Sequence, residues 1–292
     1  MTLRRLALLL LPLLAPAPLA AQDAGAKGDI VVTAKGQPLD PAIVTRQARE
    51  VTRETDIRYE PLPRFDGYAC PGVIGLSTEY AEMLVGRIRM IAEDLHIPLA
   101  PNGDCHPNIF VSFTEDGRVD MAAIQKSTRL LTDLSVEERG ELLDEPGPVR
   151  VLSVVETRLQ NGAAMPHRKN LTDIPTATME GGQSLISTAT ERHITQVVVL
   201  FDRAHAAGKT LHQLADYAVM RVFARTRDAT GGDAPVSILG LFDENGTPPD
   251  GMTAFDRAYL AALYEGPSHM KGISKIMRVS RKLQKMKSTD EE

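Results

Sequence analysis

The residues best spaced for chemistry lie in Thr210-Leu211-His212-Gln213-Leu214-Ala215-Asp216. On a helix, His212 and Asp216 share one face, because side chains four apart stack one turn above another. A metal-dependent hydrolase would read H-E-x-x-H here, with two His ligands and a Glu that polarises the metal-bound water. This chain puts Gln213 at the Glu position and Asp216 at the second His position. An amide takes up no proton near neutral pH, so Gln213 is no general base. One His and one Asp make a thin metal shell. A structural reading covers the same residues. Thr210 and Gln213 have the T-x-x-Q spacing of a capping box. Leu211, Leu214, Ala215, Ala218 and Val222 form the buried stripe, and His212 and Asp216 pair beside it. His212, Gln213 and Asp216 are therefore a candidate polar site, with no catalytic residue, metal or cofactor assigned.

Other motifs carry less. Ala207-Gly208-Lys209-Thr210 ends like a phosphate-binding loop, but Arg203 stands where the first Gly belongs. Ser268-His269-Met270-Lys271 matches S-x-x-K without the S-D-N or K-T-G elements that would accompany it. His167, His193 and His205 are dispersed, and spacing alone does not bring them to His212. Asn170 and Asn245 fit the glycosylation pattern, which matters only in a eukaryotic secretory route.

The start of the chain sets the compartment. Arg4 and Arg5 precede Leu6 to Leu14, then a small, Pro-rich stretch to Ala21, with cleavage expected before Gln22. This is the three-part pattern of a secretory signal, and Pro12, Pro16 and Pro18 argue against a membrane span. A periplasmic or secreted protein is expected. In such an oxidising compartment the pair Cys70 and Cys105 is most simply a disulfide. Neither sits in a C-x-x-C motif, and His106 is the single nearby ligand type. The formal charge of −5 includes the two signal arginines, so the mature chain carries −7. Seven basic residues and no acidic ones lie between Lys271 and Lys287, which leaves −14 on the rest. An acidic body of this kind argues against nucleic acid as a partner.

The elements that must position these residues follow from periodicity and caps. Asp40-Pro41 opens a helix to about Glu54. Pro61 to Gly75 reads as a loop. Ser77 caps a helix carrying Leu84, Ile88, Ile91 and Leu95 on one stripe. Asn108 to Phe113 is a strand and Val119 to Leu131 a helix. Ser135 and Glu138 form a capping box for another helix. Val149 to Thr157 is a strand, and Arg158 to Gln183 has room for a hairpin. The apolar strand His193 to Asp202 leads into the helix Thr210 to Arg227. Val236 to Phe242 reads as one more strand, and Thr253 caps a helix that Gly266 ends. Helices and strands mix in one domain of about 200 residues, α+β or α/β.

That order, with an apolar strand leading into the helix of His212 and a final D-R-x-x-L-x-x-L-Y helix, resembles a zincin. The residues that carry the likeness are His193 to Arg227 with Thr253, Asp256, Arg257, Leu260, Leu263 and Tyr264. The chain is similar to secreted bacterial zincin-like proteins of unknown function. The resemblance covers Ser77 to Gly266 and implies a single α+β domain with a small mixed sheet, whose bounds are expected at 61–266. A leader with one helix precedes it at 22–60, after the signal peptide at 1–21, and a basic tail follows at 267–292. Without H-E-x-x-H, it implies a degenerate, non-proteolytic member.

The expected function is an exported binding or assembly protein of the cell envelope, with an envelope protein as partner. The alternatives are a metal-dependent hydrolase using His212 and Asp216 and a structural protein tethered by its basic tail. The tail carries Ile273, Ile276, Met277, Leu283 and Met286 on one helical side and Lys275, Arg278, Arg281, Lys282 and Lys285 among them. That pattern suits peripheral contact with an anionic membrane, or else a solvated tail, or one folded against the acidic body. Asp29 to Ala34, D-I-V-V-T-A, resembles the TonB box of outer-membrane receptors. No β-barrel of the necessary length follows it, and a flexible leader is the simpler reading.

Overall fold

The computed structural model describes residues 40–101, 105–127, 134, 136–167, 170, 172–174, 176–177, 184–229 and 236–290. The signal segment, the D-I-V-V-T-A segment, the Ser135 cap and Gly231-Gly232 lie outside the described residues.

The fold is α+β, built on a five-stranded mixed sheet. Strand β5 (Thr190–Asp202) is central. On one side it pairs antiparallel with β4 (Val149–Leu159) over its whole length. On the other it pairs parallel with β1 (Arg64–Phe65) near its start and with β3 (Ile109–Thr114) further on. Strand β2 (Pro71–Ile74) lies parallel to β3 at the edge. The Pro/Gly-rich stretch before Gly75, read as a loop, thus supplies two short strands. Cys70 and Cys105 form a disulfide just ahead of β2 and β3, with Cα atoms 6.2 Å apart. Asn108 adds to this junction, since its side chain accepts the Cys70 N–H at 2.9 Å. In the chain-entropy model a loop of 35 residues closed this way stabilises the fold by roughly 3–4 kcal/mol.

Alternation along β3 and β5 sends apolar side chains to both faces of the sheet. One face holds Val111, Phe113, Val197, Val199 and Phe201, and carries most of the helices. These are α1 (Pro41–Val51), α2 (Thr78–Asp94), α6 (Leu211–Phe223), α7 (Ala254–Tyr264) and α8 (Gly272–Asp290). The other face buries Leu152, Val198 and Leu200 against Met121 and Leu142. Those two come from α3 (Gly117–Ser127) and α4 (Val136–Asp144). A short helix α5 (Arg203–Ala206) follows β5 directly.

Three expectations are corrected. Helix α1 is no part of a flexible leader: Asp40 caps it, and Val44, Ala48 and Val51 are buried in the main core. Nor do the described residues of the basic tail stand free on a membrane or in solvent: of the three readings, the one folded against the body holds, because Ile276, Val279 and Leu283 of α8 belong to that same core. Met277, placed on the apolar stripe by sequence, is 56% exposed, and Val279 takes its place inside. The described residues from 40 to 290 therefore belong to one compact unit rather than to leader, domain and tail. Finally, Val236 to Phe242 forms no strand. Ser237 accepts the Leu239 N–H through its hydroxyl at 3.2 Å, and a 3₁₀ turn spans Ile238–Gly240. Among the described residues, no helix is long and apolar enough to cross a membrane.

Candidate functional site

Helix α6 begins with the expected capping box. Gln213 donates its backbone N–H to the Thr210 hydroxyl at 3.1 Å and accepts the Thr210 N–H through Oε1 at 2.9 Å. Its amide nitrogen then donates to the Pro249 carbonyl at 2.8 Å. Gln213 is thus spent on helix and loop structure, in the position where a hydrolase would keep its base.

Asp216 is fully buried and fully engaged. Arg87 of α2 clamps it through Nε at 2.6 Å and Nη2 at 3.0 Å. The Met252 N–H donates to Oδ2 at 2.6 Å. His212 Nε2 stands 3.1 Å from the same oxygen, with its own side chain 55% exposed. A buried carboxylate needs a charged partner and further donors, and this one has both. The pairing of His212 with Asp216 is as the sequence indicated. Arg87, Gly251 and the Met252 N–H were missed, since they lie far from the motif in sequence.

The segment leading into α7 closes the site. Gly251 packs so tightly on α6 that a Cβ there would lie 2.7 Å from His212 Cδ2 and 2.8 Å from Asp216 Oδ2. A zinc ion does not fit these residues. The guanidinium of Arg87 already neutralises Asp216, the carboxylate paired with His212, and the Gly251 backbone lies close against the ring. Among the described residues, no group of three or more His, Cys, Asp or Glu is arranged to hold a metal. His193 instead lies between Asp66 and Glu191, at 3.3 and 3.1 Å. Ser268, of the S-x-x-K match, donates to Glu191.

A second buried carboxylate fixes the chain on the other side of this segment. Asp256 of α7 accepts from the Ser237 hydroxyl at 2.6 Å and the Ile238 N–H at 2.8 Å, while completing the cap with Thr253. Burial pushes its carboxyl above the ordinary value against the pull of those donors. Asp216 and Asp256 together hold the irregular stretch between the 3₁₀ turn and α7. That stretch forms one wall of an open cleft of about 1410 Å³. The cleft lies beyond the end of β5, where Asp202 and His205 line it. Lys209 lines it too and stands over the Phe242 ring at 5.9 Å, with Asp243 and Glu244 nearby. Crevices outside the carboxyl ends of parallel strands are the usual ligand position in open sheets. The motif set aside in the sequence, Ala207-Gly208-Lys209-Thr210, gives this cleft Ala207 and Lys209.

No family model, curated protein or solved structure matches the chain.

Proposed function

We propose that this is an exported, non-catalytic binding protein of the cell envelope, a zincin-like domain whose former catalytic helix has become a structural clamp. One observation carries the reading: Asp216 is held by Arg87 and Met252 while Gly251 covers His212. The antiparallel edge strand β4 beside β5, and the passage from β5 into α6, support the zincin-like likeness. The signal-like start and the Cys70–Cys105 disulfide support export to a periplasmic or extracellular location. The ligand or partner protein is expected at the cleft between Asp202, Lys209 and Phe242, whose wall the clamp fixes.

The test is elemental analysis and a peptidase assay on the purified mature chain supplied with zinc. The expected outcome is no stoichiometric zinc and no peptide cleavage. About one zinc per chain, lost in His212→Ala, would overturn the reading and favour the metal-dependent hydrolase. A photo-crosslinking residue at Glu244, used in intact cells, is expected to capture the partner. The same residue placed at Glu79, at the start of α2, serves as the control.

A further inference from the structure

A small cavity of about 20 Å³ lies where α1, α6 and β4 approach one another. Three guanidinium side chains line it, Arg53, Arg221 and Arg225, together with the hydroxyl residues Ser153 and Thr226. The rest of its wall is leucine and valine, and no described carboxylate residue lines it. The matching acids stand outside that wall. Arg221 donates to Glu145 at 2.7 Å and to Asp228 at 2.8 Å. Arg53 reaches the other oxygen of Glu145 at 3.2 Å, and Arg225 reaches Glu54 at 2.8 Å. Glu54 is shared with a further arginine, Arg192.

Arg221 is the informative member. Its side chain is fully buried, and its Nε–H has no acceptor among the described residues. Leaving a buried donor unmade costs about 1–3 kcal/mol, and more when the group is charged. Native interiors seldom carry that cost, so an acceptor belongs beside Nε. The cavity exceeds the roughly 10–15 Å³ that a water-sized occupant needs. It is too small for a phosphate or sulfate. Two occupants of that size exist, a water and a single-atom anion. A water would answer the open N–H, but it would leave three guanidinium groups lining the cavity while their paired carboxylates, Glu145, Asp228 and Glu54, stand outside its wall. An anion answers both the open N–H and the local field.

We propose that this cavity binds a chloride-sized anion, which accepts from Arg221 Nε and is flanked by Arg53, Arg225 and the Ser153 hydroxyl, the Thr226 hydroxyl being spent on the Met220 carbonyl at 3.1 Å. The bound ion adds β4 to a junction where the ends of α1 and α6 already meet through backbone hydrogen bonds, from the Arg53 N–H to the Arg225 carbonyl at 3.0 Å and from the Arg227 N–H to the Val51 carbonyl at 2.9 Å. The reading is independent of the cleft and of the clamp at Asp216.

The experiment is a crystal structure of the mature chain grown in bromide, with data collected at the bromine absorption edge. An anomalous peak is expected inside the cavity. Ser153→Val fills part of the space with a methyl group and is expected to abolish the peak. In solution, the unfolding midpoint is expected to rise by about 3–5 °C at ten times the dissociation constant of bromide, relative to gluconate at equal ionic strength. Arg225→Gln, at the rim, is expected to shrink that rise. Density without anomalous signal in the parent protein means a water only and overturns the proposal. A peak that survives undiminished in Ser153→Val overturns it as well. If Ser153→Val does not fold, the parent crystal and the Arg225→Gln midpoint still decide.

Discussion

Replacing Gly251 by Ala tests the clamp most directly. The added methyl would lie 2.7 Å from His212 Cδ2, 2.8 Å from His212 Nε2 and 2.8 Å from Asp216 Oδ2. Carbon centres in good contact sit at about 3.5–4.0 Å, so something must move by most of an ångström. Asp216 cannot give way readily, because Arg87 and the Met252 N–H hold both of its oxygens. His212 is half exposed and can swing outward. Overpacking of this kind costs about 1–3 kcal/mol. The loss of backbone freedom in the unfolded chain returns about 0.4–1 kcal/mol. A net destabilisation of about 1–2 kcal/mol is expected. Urea unfolding should show it as a lower midpoint at unchanged slope. His212→Ala removes two of the three close contacts and should alone cost about 1 kcal/mol, since His212 is half exposed and Asp216 keeps Arg87 and the Met252 N–H. In the double variant part of the Gly251→Ala cost should therefore disappear, a coupling of about 0.5–1.5 kcal/mol. If Gly251→Ala is as stable as the parent, or if the two changes simply add, Gly251 does not seal the site.

Other outcomes follow from the same packing. Asp216→Ala strands the Arg87 guanidinium and the Met252 N–H, and should cost about 3 kcal/mol in chemical denaturation, with a larger loss than His212→Ala. A chain ending at Ser268 should fail to fold by circular dichroism. It loses the buried Ile276, Val279 and Leu283, each worth about 1.5–3 kcal/mol, against a total stability of about 5–15 kcal/mol. A membrane role for α8 is therefore tested by Arg281→Glu with Lys285→Glu, both exposed, and loss of sedimentation with anionic vesicles would support that role. Lys275 has its ammonium pushed down to about 8 by burial, with Arg64 and Arg278 adding to the shift. Between about 8 and its ordinary 10.5 the unfolded chain then binds more protons than the native one, so stability should rise with pH across that window. Lys275→Met should flatten the rise.

What the sequence showed of this protein depended on how local the deciding interactions were. Helix α6 and its cap were legible because Thr210 and Gln213 satisfy each other within one turn. The strand β5 was legible because its apolar run needs burial on both faces, which two cores supply. The Cys70–Cys105 bond followed from an isolated pair. Val236 to Phe242 misled because β-prone residues specify a strand only where a partner edge is free. Here Asp256, from α7, takes the Ile238 N–H instead. The basic tail misled in a similar way. Its charges outnumber its apolar residues, yet Ile276, Val279 and Leu283 fall on one side and decide the matter by burial.

The site shows the same division more sharply. The sequence suggested that His212 and Asp216 pair, and that Gln213 serves the cap. It held no sign of the residue that determines the chemistry, because Arg87 lies on another helix, over 120 residues away. A carboxylate beside a histidine on a helix reads alike whether it waits for a metal or is already neutralised. Only the tertiary partner separates the two. Once Arg87 supplies the positive charge, Asp216 has no cation left to bind. Its remaining lone pairs are then best used on backbone, which is where the Met252 N–H stands. The loop drawn in this way brings Gly251 against His212, and only a residue without a side chain tolerates that approach. Gln213 fits the same arrangement. Beside a carboxylate already held by a guanidinium, a general base would have nothing to activate, whereas an amide can both cap the helix and hold the Pro249 carbonyl.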